Sequence, residues 1–252
     1  MKANEALFSG LLRLADDHLI LGHRLSEWCG HAPMLEEDLS MPNMALDLIG
    51  QARSLYAYAG EVEGKGRDED ALAYLRTERE YLNLLLVERP NGDFAHTVLR
   101  QFYFAAFMEL FWQKTLSSSD PVIAGIAGKA VKEIAYHVRH CGEWIIRLGD
   151  GTQESHDCMQ DAVDALHPYT DELFASDEVS EILVAEGVLP DTSDVAEEWR
   201  SIVQSIFSQA TLHMPDGYWP ISGGRNGQHG EEMGYLLADL QYMQRTFPGM
   251  TW

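Results

Sequence analysis

Residues 129–147 read KAVKEIAYHVRHCGEWIIR and predict a helix with a carboxylate and an imidazole on its buried face. Glu133 and His137 are four residues apart, which is about 40° around a helix of 3.6 residues per turn, so they share a face. The rest of that face is apolar: Ile126, Ala130, Ile134, Val138, Cys141, Ile145 and Leu148. Di-iron carboxylate proteins place such residues in a bundle core, where two helices each supply Glu-x-x-His. Here the third residue after Glu133 is Tyr136, so the spacing differs from that motif by one residue.

The composition indicates one globular domain with a full hydrophobic core. The chain has 252 residues, of which 46% are hydrophobic, and such a length suits a single domain. A formal net charge of −22 argues against nucleic acid or an anionic membrane as a partner. No run approaches the roughly 18 apolar residues of a membrane span, and acids interrupt the N-terminal stretch where a signal peptide needs an apolar segment.

The remaining motifs give weaker signals. Cys29, Cys141 and Cys158 show no Cys-x-x-Cys spacing, so they are predicted to be free thiols of a cytoplasmic protein. Residues 223–230 (GGRNGQHG) are glycine-rich but follow no strand, so a phosphate-binding loop is not predicted. These glycines are expected to let the backbone turn or approach a partner closely. No Gly-x-Ser-x-Gly motif or Ser/His/Asp arrangement supports nucleophilic catalysis.

Apolar residues at steps of three and four predict an all-α protein. The predicted helices of the first part are residues 4–29, 42–60, 69–87, 94–116 and 121–149, with Pro42 in the first turn of its helix. Asp93 is the predicted N-cap of the helix that begins at Phe94. Four long helices joined by turns fit an antiparallel four-helix bundle over about residues 4–150. Further helices are predicted at residues 154–166, 169–174, 180–186, 194–212 and 231–245, within one domain of residues 1–252.

The count of metal ligands decides between an intact and a degenerate di-iron site. On the second bundle helix, Asp47 is followed by Gly50 at the third position and Gln51 at the fourth, and glycine has no side chain to bind a metal. In such bundles the single carboxylates of the first and third helices are expected about thirty residues ahead of these motifs. That offset points to Asp16 or Asp17 on the first helix.

On the third helix the same offset points to Phe104 and Ala105, and Glu109, the nearest acid, is more than a turn away. A ligand-poor core is therefore favoured over a catalytic site. The alternative to any metal is a buried, hydrogen-bonded polar cluster of Glu133, His137 and Asp47, for which Lys132 and Arg53 are candidate ionic partners.

Five stretches carry a resemblance to a known family. They are EWCGHAPMLEEDL (27–39), LDLIGQAR (46–53), LLLVERPNGDFAHTVLRQ (84–101), KAVKEIAYHVRHCGEWIIRLGDGT (129–152) and GGRNGQHGEEMGYLLADLQYMQRTFPGMTW (223–252). On these motifs the chain resembles, along nearly its whole length, the C-subunit family of the bacterial ring-1,2-phenylacetyl-CoA epoxidases.

The resemblance implies a ferritin-like fold that is catalytically silent and holds no cofactor of its own. It implies that a homologous A subunit holds the di-iron centre and the substrate, and that a reductase subunit supplies electrons from NADPH. The expected partners are these subunits, with a homo-oligomer possible for the isolated chain. The degenerate metal-site positions are then Asp16, Asp17, Asp47, Gln51, Glu133, Tyr136 and His137.

Residues 102–112 (FYFAAFMELFW) are apolar on nearly every face, which predicts burial either in the bundle or against another chain. Obligate partners bury large apolar surfaces. The candidate interface residues are Phe104, Phe107, Phe111, Trp112, Trp219 and Trp252.

Three hypotheses follow. The first is a non-catalytic subunit that stabilises a di-iron oxygenase subunit. The second is a self-sufficient di-iron oxygenase that uses Glu133, His137, Asp47 and Asp16 or Asp17. The third is a helical carrier or storage protein with no oxygenase partner.

Overall fold

The protein is described by a computed structural model, which covers residues 1–250. Within these residues there is no strand, and the chain forms eleven α-helices. They are α1 (Ala3–Ser26), α2 (Leu35–Glu63), α3 (Glu69–Tyr74), α4 (Leu85–Glu88), α5 (Phe94–Thr115), α6 (Pro121–Gly149), α7 (Gln153–Leu166), α8 (Glu178–Ala185), α9 (Ser193–Gln209), α10 (Glu231–Leu240) and α11 (Tyr242–Thr246). Short 3-10 turns lie at Glu78–Glu80, His167–Tyr169, Asp171–Phe174 and Gly224–Asn226.

The four long helices α1, α2, α5 and α6 form the bundle that was predicted. Residues 27–34 join α1 to α2, and residues 116–120 join α5 to α6, so each pair is a tight antiparallel hairpin. The two hairpins are linked by a long crossover, residues 64–93, which contains α3 and α4. One long crossover is typical of ferritin-like bundles, so the predicted fold class is confirmed.

The starts of α5 and α6 follow from their capping residues. The Asp93 carboxylate accepts a hydrogen bond from the His96 amide at 2.8 Å, which confirms the predicted N-cap. Asp120 accepts from the amides of Val122 and Ile123 at 2.9 and 3.2 Å. Because Pro121 needs no amide partner, it occupies the first turn of α6 without loss.

Three predicted helices differ from the observed elements. Helix α2 begins at Leu35 rather than Pro42, and Pro42 lies inside it. The predicted helix over residues 69–87 is instead α3, a 3-10 turn and α4, separated by extended backbone. The reason is tertiary: the amides of Leu82 and Leu84 bond to buried carboxylates of α1, and a continuous helix would use these amides itself. The last predicted helix, residues 231–245, is interrupted at Gln241 between α10 and α11.

The accessory helices enclose α5. Helices α7 and α9 pack against α5 and α6, and α8 packs against α1. The Phe174 ring packs against Phe107 with centroids 5.7 Å apart, and the Trp199 indole donates to the carbonyl of Tyr103 at 3.0 Å.

Four of the six candidate interface residues are therefore core residues. Phe104, Phe107, Phe111 and Trp112 are buried within this chain, so they offer no surface to a second chain. Trp219 is exposed, and its role at an interface stays a prediction, whereas Trp252 lies outside the described residues. None of the helices described is both long and apolar enough to cross a bilayer.

Candidate functional site

Six polar side chains from the four bundle helices lie close together between α1, α2, α5 and α6. We call them the core polar cluster: His18, Asp47, Gln51, Gln101, Glu133 and His137. The Gln51 amide donates to Glu133 Oε2 at 2.9 Å, and the Gln101 amide lies 3.1 Å from His137 Nδ1. His137 Nε2 lies 3.2 Å from Asp47 Oδ2. The cluster therefore links α2, α5 and α6 by hydrogen bonds between side chains.

The partners of His137 fix its tautomer. Because Asp47 is an acceptor, His137 Nε2 carries the proton and donates it. His137 Nδ1 then has a lone pair, which accepts from the Gln101 amide. Both nitrogens of His137 are thus used within the protein.

His18 is held from its own helix. Its Nδ1 lies 2.7 Å from the Leu14 carbonyl, so Nδ1 is the donor and Nε2 carries a lone pair. Burial lowers the pKa of His18 to about 4, and the Leu14 carbonyl opposes that shift. The nearby His137 and Gln51 also act on the pKa of His18, which places its ring beside them. His18 is therefore neutral at pH 7, and its Nε2 has no hydrogen-bond partner among residues 1–250.

The two carboxylates lie at the edge of the cluster, whereas His18, Gln101 and His137 are inaccessible to solvent. The side chains of Asp47 and Glu133 are 38% and 19% exposed. The predicted ionic partners were wrong: Lys129, not Lys132, lies near Glu133, with Nζ 3.4 Å from Oε1.

Arg53 is on the surface and pairs with Glu69 at 3.1 Å. The carboxylates of the cluster are therefore paired with an amide, an imidazole and, on the solvent side, the Lys129 ammonium.

The residues of the cluster do not fit a di-iron centre. Such a centre is held by four carboxylates and two imidazoles, and the negative charge of the carboxylates balances the charge of the irons. Here two of the six side chains are neutral amides, and both nitrogens of His137 are already bonded. Tyr136, at the position of the motif's histidine, is 38% exposed and points away from the core. Among residues 1–250, no group of three or more His, Cys, Asp or Glu side chains could hold a metal ion.

Asp16 and Asp17 are buried, but they lie outside this cluster. Asp16 pairs with Arg76, accepts from the Tyr56 hydroxyl, and accepts from the Leu82 amide at 2.7 Å. Asp17 pairs with Arg225 at 2.7 Å and accepts from the Leu84 amide, also at 2.7 Å. Asp16 and Asp17, which were predicted as degenerate metal-site positions, therefore hold the crossover and the C-terminal segment against the bundle.

Sequence reasoning missed His18 and Gln101. His18 is the cluster residue of α1, where the offset pointed to Asp16 or Asp17. Gln101 is the cluster residue of α5, where the offset pointed to Phe104 and Ala105. A signal existed for both residues. His18 lies on the apolar stripe of α1, and Gln101 directly precedes the apolar run of residues 102–112. A polar residue on an otherwise apolar face marks a side chain that must find a partner in the core.

The glycine-rich residues 223–230 pack on the chain's own crossover rather than on a partner. A Cβ atom at Gly224 would overlap the Asn83 carbonyl, and one at Gly227 would overlap the Arg79 carbonyl. Arg225 donates to Asp17 and to the carbonyls of Arg13 and Leu82, so this guanidinium is fully engaged.

A second buried pair fixes the same segment. His229 Nδ1 lies 2.7 Å from Glu88 Oε2, and the Gly230 amide donates to Glu88 Oε1 at 2.6 Å. Burial by itself lowers the pKa of His229, but the Glu88 carboxylate and the Tyr81 carbonyl outweigh it, and the pKa is raised. The His229 imidazolium is thus stabilised by a buried carboxylate.

Comparison with known proteins gives two matches along the whole chain. The family described as phenylacetic acid catabolic protein matches residues 1–252. The C subunit of the 1,2-phenylacetyl-CoA epoxidase of Escherichia coli (strain K12) is 45% identical over 241 residues. That alignment covers 96% of this chain and 97% of the relative. The resemblance predicted from the five motifs is confirmed.

Proposed function

The chain belongs to the phenylacetic acid catabolic protein family, and we propose that it is a structural, non-catalytic subunit of a phenylacetyl-CoA epoxidase complex. It pairs with and stabilises a catalytic subunit of similar fold, and a reductase subunit belongs to the same complex. The di-iron centre resides in the catalytic subunit, and this chain holds no cofactor. The substrate and the designation as a C subunit are taken from the Escherichia coli relative, whose name gives both.

The observation that supports this proposal most is the make-up of the core polar cluster. Gln51 and Gln101 contribute neutral amides, and each is already committed to a neighbour, Glu133 or His137. Replacing a charged ligand set by paired neutral groups removes the need for a metal to compensate buried charge. A core of this kind supports the bundle without metal.

The test is to purify this chain alone and together with the catalytic subunit, and to measure iron in each. We expect substoichiometric iron and no oxygen-dependent turnover of phenylacetyl-CoA for the chain alone. In the complex, iron should follow the catalytic subunit. Stoichiometric iron that tracks with activity of the isolated chain would contradict the proposal.

A matched variant separates this function from a self-sufficient oxygenase. Glu133→Gln removes one carboxylate of the cluster but keeps its shape and can still accept from Gln51. For a structural subunit, we expect the iron content and turnover of the complex to stay within about twofold of wild type, since no ligand is lost. An oxygenase with its metal at Glu133 would lose both, because losing an activated centre costs orders of magnitude in rate.

A further inference from the structure

Both ring nitrogens of His229 face a hydrogen-bond acceptor. Nδ1 lies 2.7 Å from Glu88 Oε2, and Nε2 lies 2.9 Å from the carbonyl oxygen of Tyr81. A neutral imidazole has one N–H and one lone pair, so it can donate to only one of these oxygens and opposes the other with its lone pair. The imidazolium has two N–H groups and satisfies both oxygens. The geometry around His229 therefore requires the protonated ring.

The surroundings of this contact give a neutral ring no alternative partner. The side chains of His229 and Glu88 are fully buried, so bulk water does not replace a lost hydrogen bond. The Glu88 carboxylate is also fixed in place, because it accepts from the Asn83 amide at 3.0 Å and from the Gly230 backbone amide at 2.6 Å. Loss of the His229 proton therefore leaves a buried acceptor without its donor, which is unfavourable.

His229 lies where the last helices of the chain meet the crossover. Helix α10 begins two residues later and packs on the 3-10 turn Glu78–Glu80 of the crossover. In α11, the Arg245 guanidinium donates to the carbonyl of Arg76 at 3.0 Å. Residues 223–246 thus rest on the crossover, and the His229 contact with Glu88 is buried at the start of α10.

The acids around His229 favour its proton. Burial, the largest single effect, lowers the pKa of His229. The hydrogen bonds to Glu88 and to the Tyr81 carbonyl, with the charges of Glu88 and Glu78, together outweigh burial and raise the pKa above its ordinary value of 6.5. Stability from this contact is therefore complete below about pH 6.5 and is lost as the pH rises through the raised pKa.

The other charged groups near this contact titrate outside that range or are paired. Arg89 pairs with Glu88 at 3.2 Å and with Glu232 at 3.3 Å, and Arg79 lines a surface cleft beside His229. On α1, Asp17 holds Arg225, the other buried anchor of residues 223–246. Burial raises the pKa of Asp17 to about 6, so its ionisation is nearly complete at pH 7. A change between pH 7 and pH 8.5 therefore reports on His229 rather than on Asp17.

We propose that His229 is a pH switch for residues 223–246: the protonated ring holds them on the crossover, and loss of its proton lets them open. The opening is local, because α1, α2, α5 and α6 pack chiefly on one another and on α7, α8 and α9. The switch belongs to the isolated chain, so it holds whether or not the proposed function does.

Hydrogen exchange of the full-length chain, measured by mass spectrometry from pH 7 to pH 8.5, tests this switch. After correction for intrinsic exchange rates, the opening equilibrium constant of residues 231–246 should rise about threefold or more over this range, since one linked proton contributes up to tenfold per pH unit. Helix α9, which packs on α5 and α6, is the internal reference and should keep its opening constant. An equal rise in α9 would mean that the whole fold opens, and it would overturn the proposal.

Two variants assign the response to His229. His229→Gln carries no charge and does not titrate, so its residues 231–246 should exchange faster than wild type at pH 7 and show no further rise in opening up to pH 8.5. His213→Gln, at an exposed histidine of the C-terminal part, is the control and should respond as wild type does. A wild-type response in His229→Gln would show that another group is the switch.

Nitrogen-15 NMR of the wild-type His229 ring tests the switch without any variant. The proposal requires a pKa above 6.5, with both ring nitrogens protonated below it. A pKa at or below 6.5 would show that the fold does not hold the imidazolium, and the proposal would be wrong.

Discussion

At the scale of single side chains, burial decides the protonation state of His18. The ring is inaccessible to solvent, and its pKa is lowered to about 4 from an ordinary value of 6.5. The unfolded chain therefore binds more protons at this residue than the folded chain between these two pH values. Stability from His18 is complete above about pH 6.5 and is lost as the pH falls towards 4.

We expect His18→Gln to flatten this part of the pH profile. Each pKa unit corresponds to about 1.4 kcal/mol, so wild type should lose about 2 kcal/mol from His18 between pH 7 and pH 5. The variant, which does not titrate, should lack that loss. Urea unfolding of both proteins at pH 7, 6 and 5 measures the difference. His31→Gln, at an exposed histidine, is the control and should follow wild type. Parallel profiles for His18→Gln and wild type would contradict the prediction.

Four of the six residues of the core polar cluster could be predicted at the residue scale. Asp47 and Gln51 of α2 meet His137 and Glu133 of α6, as the helical spacing indicated. His18 and Gln101 were missed because the expected positions came from a fixed offset of residues. Such an offset assumes that the helices have equal lengths and the same position along the bundle axis. Tertiary packing sets the position of each helix along the bundle axis. Asp16 and Asp17 accept hydrogen bonds from backbone amides of the crossover instead of joining the cluster.

At the scale of elements, the glycine-rich residues 223–230 pack closely against the crossover. Gly227 has φ of +69°, in the left-handed region, and its Cα hydrogens face the carbonyl of Arg79. A side chain there would be strained by the backbone and would also overlap that carbonyl. Both the conformation and the close approach thus require glycine.

Gly227→Ala should therefore destabilise the protein by about 3 kcal/mol, from left-handed strain of about 1–2 kcal/mol and a steric overlap of similar size. Gly217→Ala is the control: φ at Gly217 is +79°, but a Cβ there meets no atom within 4 Å. Gly217→Ala should cost only the left-handed strain of about 1–2 kcal/mol. Thermal or urea unfolding separates the two effects. Equal losses in both variants would show that residue 227 does not pack closely on the crossover.

Local signals predicted the long helices well and the crossover poorly. The caps at Asp93 and Asp120 are short-range hydrogen bonds, so their sequence patterns gave the correct starts of α5 and α6. Residues 69–87 also have helical periodicity, yet they form α-helix only at their two ends, with a 3-10 turn between them. The segment from Leu82 to Leu84 is held extended by carboxylates more than sixty residues earlier, which no local pattern encodes.

At the scale of the whole molecule, buried ion pairs join the ends of the sequence. Asp17 of α1 is 1% exposed and pairs with Arg225, 208 residues later. Removing one partner of a buried pair leaves an uncompensated charge, which typically costs about 3–5 kcal/mol. We expect Arg225→Met to lower the free energy of unfolding by about that amount.

Asp17→Asn in the same chain should recover part of the loss, because the asparagine oxygen can still accept from the Leu84 amide without carrying charge. The double-mutant cycle should give a coupling energy of at least about 1 kcal/mol. Urea unfolding of the four proteins measures it. Additive losses would mean that the two groups do not interact in the folded state.

Residues 151–252 and the bundle bury each other's apolar surface and pair each other's charges, so we expect them to unfold together. Helices α7 and α9 cover the apolar helix α5, while Arg225 pairs with Asp17 of α1 and His229 pairs with the buried Glu88 of the crossover. Without residues 151–252, the bundle would expose that apolar surface and leave buried carboxylates unpaired. The prediction of one domain therefore implies one cooperative transition, in which the calorimetric enthalpy equals the van't Hoff enthalpy. A fragment of residues 1–150 should not unfold cooperatively in the same calorimeter. An enthalpy ratio near two, or a sharp transition of the fragment, would show two independent units.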